Sequence, residues 1–163
     1  FFLLSRFRQL QELSQRDLFR QITICDYIFP KDKIFAYLNL EDTELALYER
    51  IYGVLAPEVP SPELVIYLQA RTSVLLQRIR WRGRAFEQDM EEDYLNALNA
   101  AYSYFFHHYK DSLLLVVNTD EIDFVNNAAD LEALIDQIIR CRRGTQVYVP
   151  ISADDSSTLP PPG

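Results

Sequence analysis

Glu63-Leu64-Val65-Ile66-Tyr67-Leu68-Gln69 is a run without polar alternation, preceded by Pro57, Pro60 and Pro62. A strand with one wet face alternates apolar and polar residues. An unalternated β-rich run therefore reads as a strand covered on both faces, as in a parallel sheet flanked by helices. Downstream, Thr72 to about Trp81 reads as a helix, with Thr72-Ser73 as its cap and Gly83 as its interruption. A long helix is expected from near Met90 to Tyr109. Leu113 to Val117 is a second buried-strand signal ending in Asn118-Thr119-Asp120, and Ala128 to Cys141 makes a closing helix.

Upstream of the prolines, apolar residues at Phe1, Leu4, Phe7, Leu10 and Leu13 recur every three to four positions, the period of an amphipathic helix to about Ser14. Ile22-Thr23-Ile24-Cys25 reads as a short strand ending at Asp26, and Lys33 to Leu40 and Asp42 to Leu55 as helices. Beyond Gly144 periodicity is lost, and the Ser-, Asp- and Pro-rich residues 151–163 are expected to be a disordered tail. The element order predicts an α/β fold with a mainly parallel sheet, in which ligands bind beyond the carboxyl ends of the strands. Asp26, Gln69 and Asn118-Thr119-Asp120 are thus expected to converge on one crevice. No internal repeat occurs.

With 163 residues and 48% apolar content, the chain suits one domain, taken as residues 1–150. The formal charge of −8 argues against a nucleic-acid partner. No apolar run reaches the ~20 residues that span a bilayer, so no membrane partner is expected. Cys25 and Cys141 lack metal-type spacing and read as thiols in a reducing compartment, the cytoplasm. Phe1 in place of a methionine suggests residues upstream.

Arg78-Ile79-Arg80-Trp81-Arg82-Gly83-Arg84-Ala85-Phe86-Glu87-Gln88 is the most informative stretch. Arg78 and Arg82, four apart, share a helix face, and Gly83 frees the backbone for Arg84 to turn toward the same point. Three guanidinium groups beyond a buried strand suit a polyphosphate and would stabilise charge on a transferring phosphoryl group. A solvated basic face answering Glu91-Glu92-Asp93 fits the spacing equally well. The four glycines, Gly53, Gly83, Gly144 and Gly163, form no Gly-x-x-x-x-Gly-Lys-Ser/Thr loop. Any such loop is expected upstream of Phe1.

Together, Phe2-Leu3-Leu4-Ser5-Arg6, Asp26 through Ala36, Leu64 through Leu68, Arg78 through Gln88 and Val117 through Phe124 resemble the deoxynucleoside kinase family, in particular its bacterial deoxyadenosine/deoxyguanosine kinases. The resemblance implies a three-layer, P-loop-kinase-like α/β fold lacking its N-terminal strand and phosphate loop. It implies ATP and Mg²⁺ as cofactors, a lid over about residues 78–90, and a homodimer, for which Tyr102 through Phe106 offer aromatic surface. It assigns Arg78, Arg82 and Arg84 to ATP phosphates, with Arg82 and Arg84 catalytic. Asp123 and Phe124 match the loop holding the adenine of ATP. Arg6 and Asp32 match a pair reading the nucleobase, Phe35 packs on that base, and Glu87 accepts from the sugar 3′-hydroxyl. Asp26 matches a strand-end glutamate and becomes a catalytic, Mg²⁺-binding carboxylate.

Tyr27 stands where the family carries a phosphate-touching arginine, with Lys31 or Lys33 as alternative cations. His107 and His108, adjacent on a helix, read as structural. The implied activity of the intact protein is ATP-dependent phosphorylation of a deoxynucleoside 5′-hydroxyl, a purine in nucleotide salvage. The catalytic base and a base-reading glutamine are expected before Phe1, leaving this chain alone inactive. A nucleoside monophosphate kinase, or a truncated homologue that only binds nucleotides or a partner, remain the alternatives.

Overall fold

The computed structural model describes residues 2–16, 22–84 and 90–150. Ten elements follow in chain order: α1 (Phe2–Arg16), α2 (Lys31–Asn39), α3 (Asp42–Leu55) with a 3₁₀ turn (Ala56–Glu58), β1 (Leu64–Gln69), α4 (Thr72–Arg82), α5 (Glu92–His108), β2 (Leu113–Asn118), α6 (Ala128–Arg140) and β3 (Thr145–Tyr148). They form two compact units, Phe1–Pro62 with Asp93–His108, and Glu63–Glu92 with Tyr109–Gly163.

The second unit holds the sheet. Its order is β1-β2-β3, and both pairings are parallel. The fold is therefore α/β with a parallel sheet, as the apolar runs predict. β2 is central, with Leu114, Leu115 and Val117 almost fully buried on its two faces. Leu115 and Val117 join Ile122, Leu134 and Cys141 in one core, against which Ile138 of α6 and Tyr148 of β3 pack. Burying side chains of this size is worth roughly 1.5–3 kcal/mol each.

Three expectations need correction here. β1 is covered on one face only: Val65 and Tyr67 are buried, but Ile66 and Leu68 on the other face are substantially exposed, and among the described residues β1 lies at the edge of the sheet. Thr145–Tyr148 is a strand that hydrophobic pattern alone does not reveal. α4 begins with Arg71 as its N-cap and no side-chain cap bond, so Thr72 and Ser73 lie inside the helix. At the far end Gly83 caps it in the left-handed region, at φ 69°. A β-carbon at Gly83 would meet only the Trp81 carbonyl oxygen, at 3.9 Å, so the cost of adding one is conformational. Gly83→Ala is expected to lower stability by about 1 kcal/mol in denaturant unfolding, and Gly83→Asn by less, because Asn tolerates that region.

In the first unit Leu3, Leu10 and Phe29 make the core, with Phe7, Tyr48, Tyr52 and Leu55 packed on it. Phe29 stacks on Tyr52 with ring centroids 5.1 Å apart. Ile22–Cys25 is not a strand. Ile22 and Ile24 are 80% and 93% exposed, and with no neighbouring strand among the described residues β-propensity alone does not organise them. Asp26 thus follows a loop rather than a strand end. Among the described residues no helix is long and apolar enough to cross a membrane. Cys25 is exposed and Cys141 buried, both as free thiols. The expected tail, residues 151–163, lies outside the described residues.

Candidate functional site

In the second unit the register pairs Gln69 with Asn118, so β1 and β2 end level with each other. Thr119, 1% exposed, ties the two ends: its N–H and its hydroxyl both donate to the Gln69 carbonyl, at 2.8 and 3.0 Å. Arg78 of α4 reaches this point. Its guanidinium donates to Thr119 Oγ1 at 2.8 Å, to the Thr119 carbonyl, and to the Ile122 carbonyl at 3.4 Å. A planar fork suits such a set of acceptors, which one ammonium would serve less well. Arg71, which the sequence does not single out, holds the next residues. Its backbone N–H donates to Asp120 Oδ1 at 2.7 Å, its Nε lies 3.0 Å from Asp120 Oδ2, and its Nη2 lies 2.9 Å from Glu121.

The loop that follows is ordered by Asp123. Its carboxylate accepts from the backbone N–H groups of Val125 and Asn126, each at 3.1 Å, and from Asn126 Nδ2 at 2.8 Å. Those bonds from Asn126 hold the Asp123 carboxyl below its ordinary range. Beside this loop opens a cavity of about 820 Å³, lined by Val74, Arg78, Trp81, Ile122, Phe124 and Val125. Trp81, 80% exposed, stands at it as a large, accessible aromatic surface. With two aromatic side chains and one guanidinium in a lining that also includes Gln77, Asp120, Asp123 and Asn126, the cleft can take a flat, heteroaromatic ring.

Of the residues expected to meet ATP, Arg78, Asp123 and Phe124 thus line one cavity. Arg82, at the end of α4, and Arg84, just beyond Gly83, are exposed. Glu87 lies outside the described residues, as does most of the expected lid beyond Arg84.

The first unit carries the other set. Arg6 of α1 and Asp32 of α2 form an ion pair at 2.8 Å, with Asp32 only 8% exposed. Asp32 falls in the first turn of α2, where the helix dipole favours a carboxylate. The Arg6 guanidinium carbon lies over the Tyr27 ring, 4.9 Å from its centre, and the Tyr27 hydroxyl donates to Gln9 Oε1 at 2.8 Å. Burial pushes the Tyr27 phenol above its ordinary pKa, with Arg6 opposing, so at neutral pH it remains a donor. Tyr27 adopts φ 136°, a conformation costing a non-glycine residue about 1–3 kcal/mol. Tyr48 adds a buried hydroxyl with no hydrogen-bond partner among the described residues. Burial and the nearby Asp32 charge push its pKa upward. No sequence pattern marks Tyr48, and none shows that Tyr27 meets Arg6, because contacts between segments distant in sequence select them.

Phe35 packs edge-on against Tyr102 at 6.2 Å, with Lys31 Nζ at 6.0 Å from its ring. Burial holds Lys31 below its ordinary pKa, with Asp26 opposing. Lys33 sits over the Tyr52 ring at 4.9 Å. Asp26 is exposed. Among the described residues no three His, Cys, Asp or Glu side chains gather to hold a metal ion. The exposed Asp26 carboxylate offers hard oxygen donors of the kind Mg²⁺ takes when water and phosphate complete its shell.

A family model described as deoxynucleoside kinase matches residues 1–141. Deoxyguanosine kinase of Bacillus subtilis (strain 168) is 36% identical over 139 residues, covering 82% of this chain and 67% of that protein. Deoxyguanosine kinase of Lactobacillus acidophilus is 27% identical over 154 residues, covering 85% and 65%. The chain thus spans about two thirds of the length of these curated relatives. Among solved structures, deoxyadenosine kinase from M. mycoides with the products dCMP and a flexible dCDP superposes with a TM-score of 0.71 at 25% identity, over 85% of this chain and 70% of that one. Its fold is P-loop-like, in keeping with the parallel sheet seen here. Matched over nearly its whole described length, this chain belongs to the deoxynucleoside kinase family.

Proposed function

We propose that the protein to which this chain belongs phosphorylates the 5′-hydroxyl of a deoxynucleoside with ATP, in cytoplasmic nucleotide salvage, and that its preferred acceptor is a purine. The observation that carries the reading is the Arg6–Asp32 pair, a half-buried guanidinium and a nearly buried carboxylate held at 2.8 Å. Side by side, the two groups can offer donors and acceptors, the complement of a nucleobase edge. Phe35 supplies an aromatic neighbour, and Glu87 is assigned the sugar hydroxyl. The deoxyguanosine kinases of Bacillus subtilis and Lactobacillus acidophilus among the relatives support the purine preference.

The donor is assigned to the second unit. ATP supplies the phosphoryl group; the cavity walls Phe124 and Trp81 take its base, with Asp123 ordering the loop. Arg82 and Arg84 are assigned its phosphates and the charge developing during transfer, the largest share of catalysis in this reaction class. Arg78 has a double part: it pins the strand-end loop and presents a charge to the cavity. Asp26 is the assigned Mg²⁺ carboxylate. No phosphate loop of the Gly-Lys-Ser/Thr type occurs in the 163 residues, so by themselves they are expected to bind without transferring. Residues 1–150 are taken as part of one kinase domain, and a homodimer is assigned from the family, with Tyr104, 71% exposed, as an interface candidate.

Calorimetric titration with the four deoxynucleosides and their monophosphates tests this. Deoxyguanosine or deoxyadenosine is expected to bind about ten-fold more tightly than the pyrimidines, roughly 1.4 kcal/mol. Tighter binding of the monophosphates instead supports a monophosphate kinase, and binding of none of the eight defeats the proposal. In parallel, ATP is expected to change the emission of Trp81, the sole tryptophan.

A further inference from the structure

Tyr27 holds a conformation that a tyrosine ordinarily avoids, at φ 136°, and among the described residues no other non-glycine has positive φ. Strain of this sort persists only where surrounding contacts enforce it. Two contacts are visible. The ring lies 4.9 Å from the Arg6 guanidinium carbon, and the hydroxyl donates to Gln9 at 2.8 Å. Arg6 and Gln9 are three apart on α1 and so share a face, and Tyr27 spans both. The same guanidinium reaches Asp32 at 2.8 Å through Nη1. Arg6 is thereby held by two groups, a carboxylate at Nη1 and an aromatic ring lying beneath its guanidinium carbon.

An arginine side chain left to itself samples many rotamers, and ordering it on binding costs affinity. We propose that Tyr27 is a positioning residue of the acceptor site, capping the Arg6 guanidinium so that the Arg6–Asp32 pair presents one fixed plane to the incoming base. This rests on the acceptor-site reading given above. The strained backbone is then maintained for recognition: relieving it should leave the fold intact while loosening the ligand.

That separation gives the test. Deoxyguanosine binding is measured by calorimetry, and thermal unfolding in parallel, for the chain and for Tyr27→Gly and Tyr27→Phe. Tyr27→Gly removes the ring and relieves the φ strain. It is expected to melt no lower than the unaltered chain while its Kd rises about ten-fold. Tyr27→Phe keeps the ring and loses only the bond to Gln9, so its Kd should stay within about three-fold. Binding by Tyr27→Gly as tight as the unaltered chain's overturns the proposal. So does equal weakening in both variants, or a loss of stability in Tyr27→Gly alongside the loss of affinity. In each of these cases the acceptor-site reading survives. Failure of the unaltered chain to bind any deoxynucleoside removes that reading, and this inference with it.

Discussion

Arg6→Met lowers the unfolding free energy by about 2–3 kcal/mol and weakens deoxynucleoside binding by at least about 100-fold. The stability term arises from what is left behind. Asp32 is nearly buried, and Arg6 is the cation bonded to its Oδ1 at 2.8 Å. Removing one member of such a pair strands a charge away from water, which costs more than the pair itself contributes. The figure sits toward the low end for buried pairs because the Arg6 side chain remains 27% exposed. The double change Arg6→Met with Asp32→Leu therefore recovers most of the stability, since no stranded charge remains, and recovers none of the binding. Denaturant unfolding of the two single variants and the double one measures this coupling directly. Additive effects on stability would mean that the pair is not coupled as the geometry requires.

Arg78→Met is expected to cost about 2–4 kcal/mol of stability, because a buried carbonyl and hydroxyl lose their donor. Thr119 is 1% exposed, and both its carbonyl and its hydroxyl accept from Arg78. With the guanidinium gone, the loop from Thr119 to Asp123 loses its tie to α4, and the cavity it borders loses a wall. ATP is expected to bind about ten-fold or more weakly, read as a smaller change in Trp81 emission at a given ATP concentration. Arg78→Lys restores part of the stability, since an ammonium retains the charge without the fork that spans Thr119 and Ile122. An Arg78→Met chain as stable as the original would show that the guanidinium bonds contribute nothing net.

Most elements were legible because their local pattern and their burial agree. The apolar run at Leu64–Gln69 is a strand and Asp42–Leu55 is a helix with the bounds that its sequence predicts. Two short segments went the other way for the same physical reason. Ile22–Cys25 has strand-forming residues but pairs with no strand among the described residues, whereas Thr145–Tyr148, with Thr and Gln among four residues, pairs with β2 over four register positions. Strand formation is a property of two segments, and only the fold decides which meet. The arginine segment was legible as a cluster, but not in its division of labour. Arg78 and Arg82 share a helix face, yet Arg78 binds the strand-end carbonyls while Arg82 stands exposed past the end of the core.

The apolar runs determined the α/β class, and the resemblance carried by several segments, Arg78–Gln88 the most specific, pointed to the family. Those are encoded in local order, in residue type and in spacing. The tertiary structure decided what depends on residues distant in sequence. It set Arg71 against Asp120, it placed the Tyr27 ring over Arg6 at the cost of a strained backbone, and it left the Tyr48 hydroxyl buried near Asp32. Each is a pairing across at least 16 positions of chain. The energy of such a contact exists only once folding has brought its two sides together, so no single stretch of sequence can carry its signature.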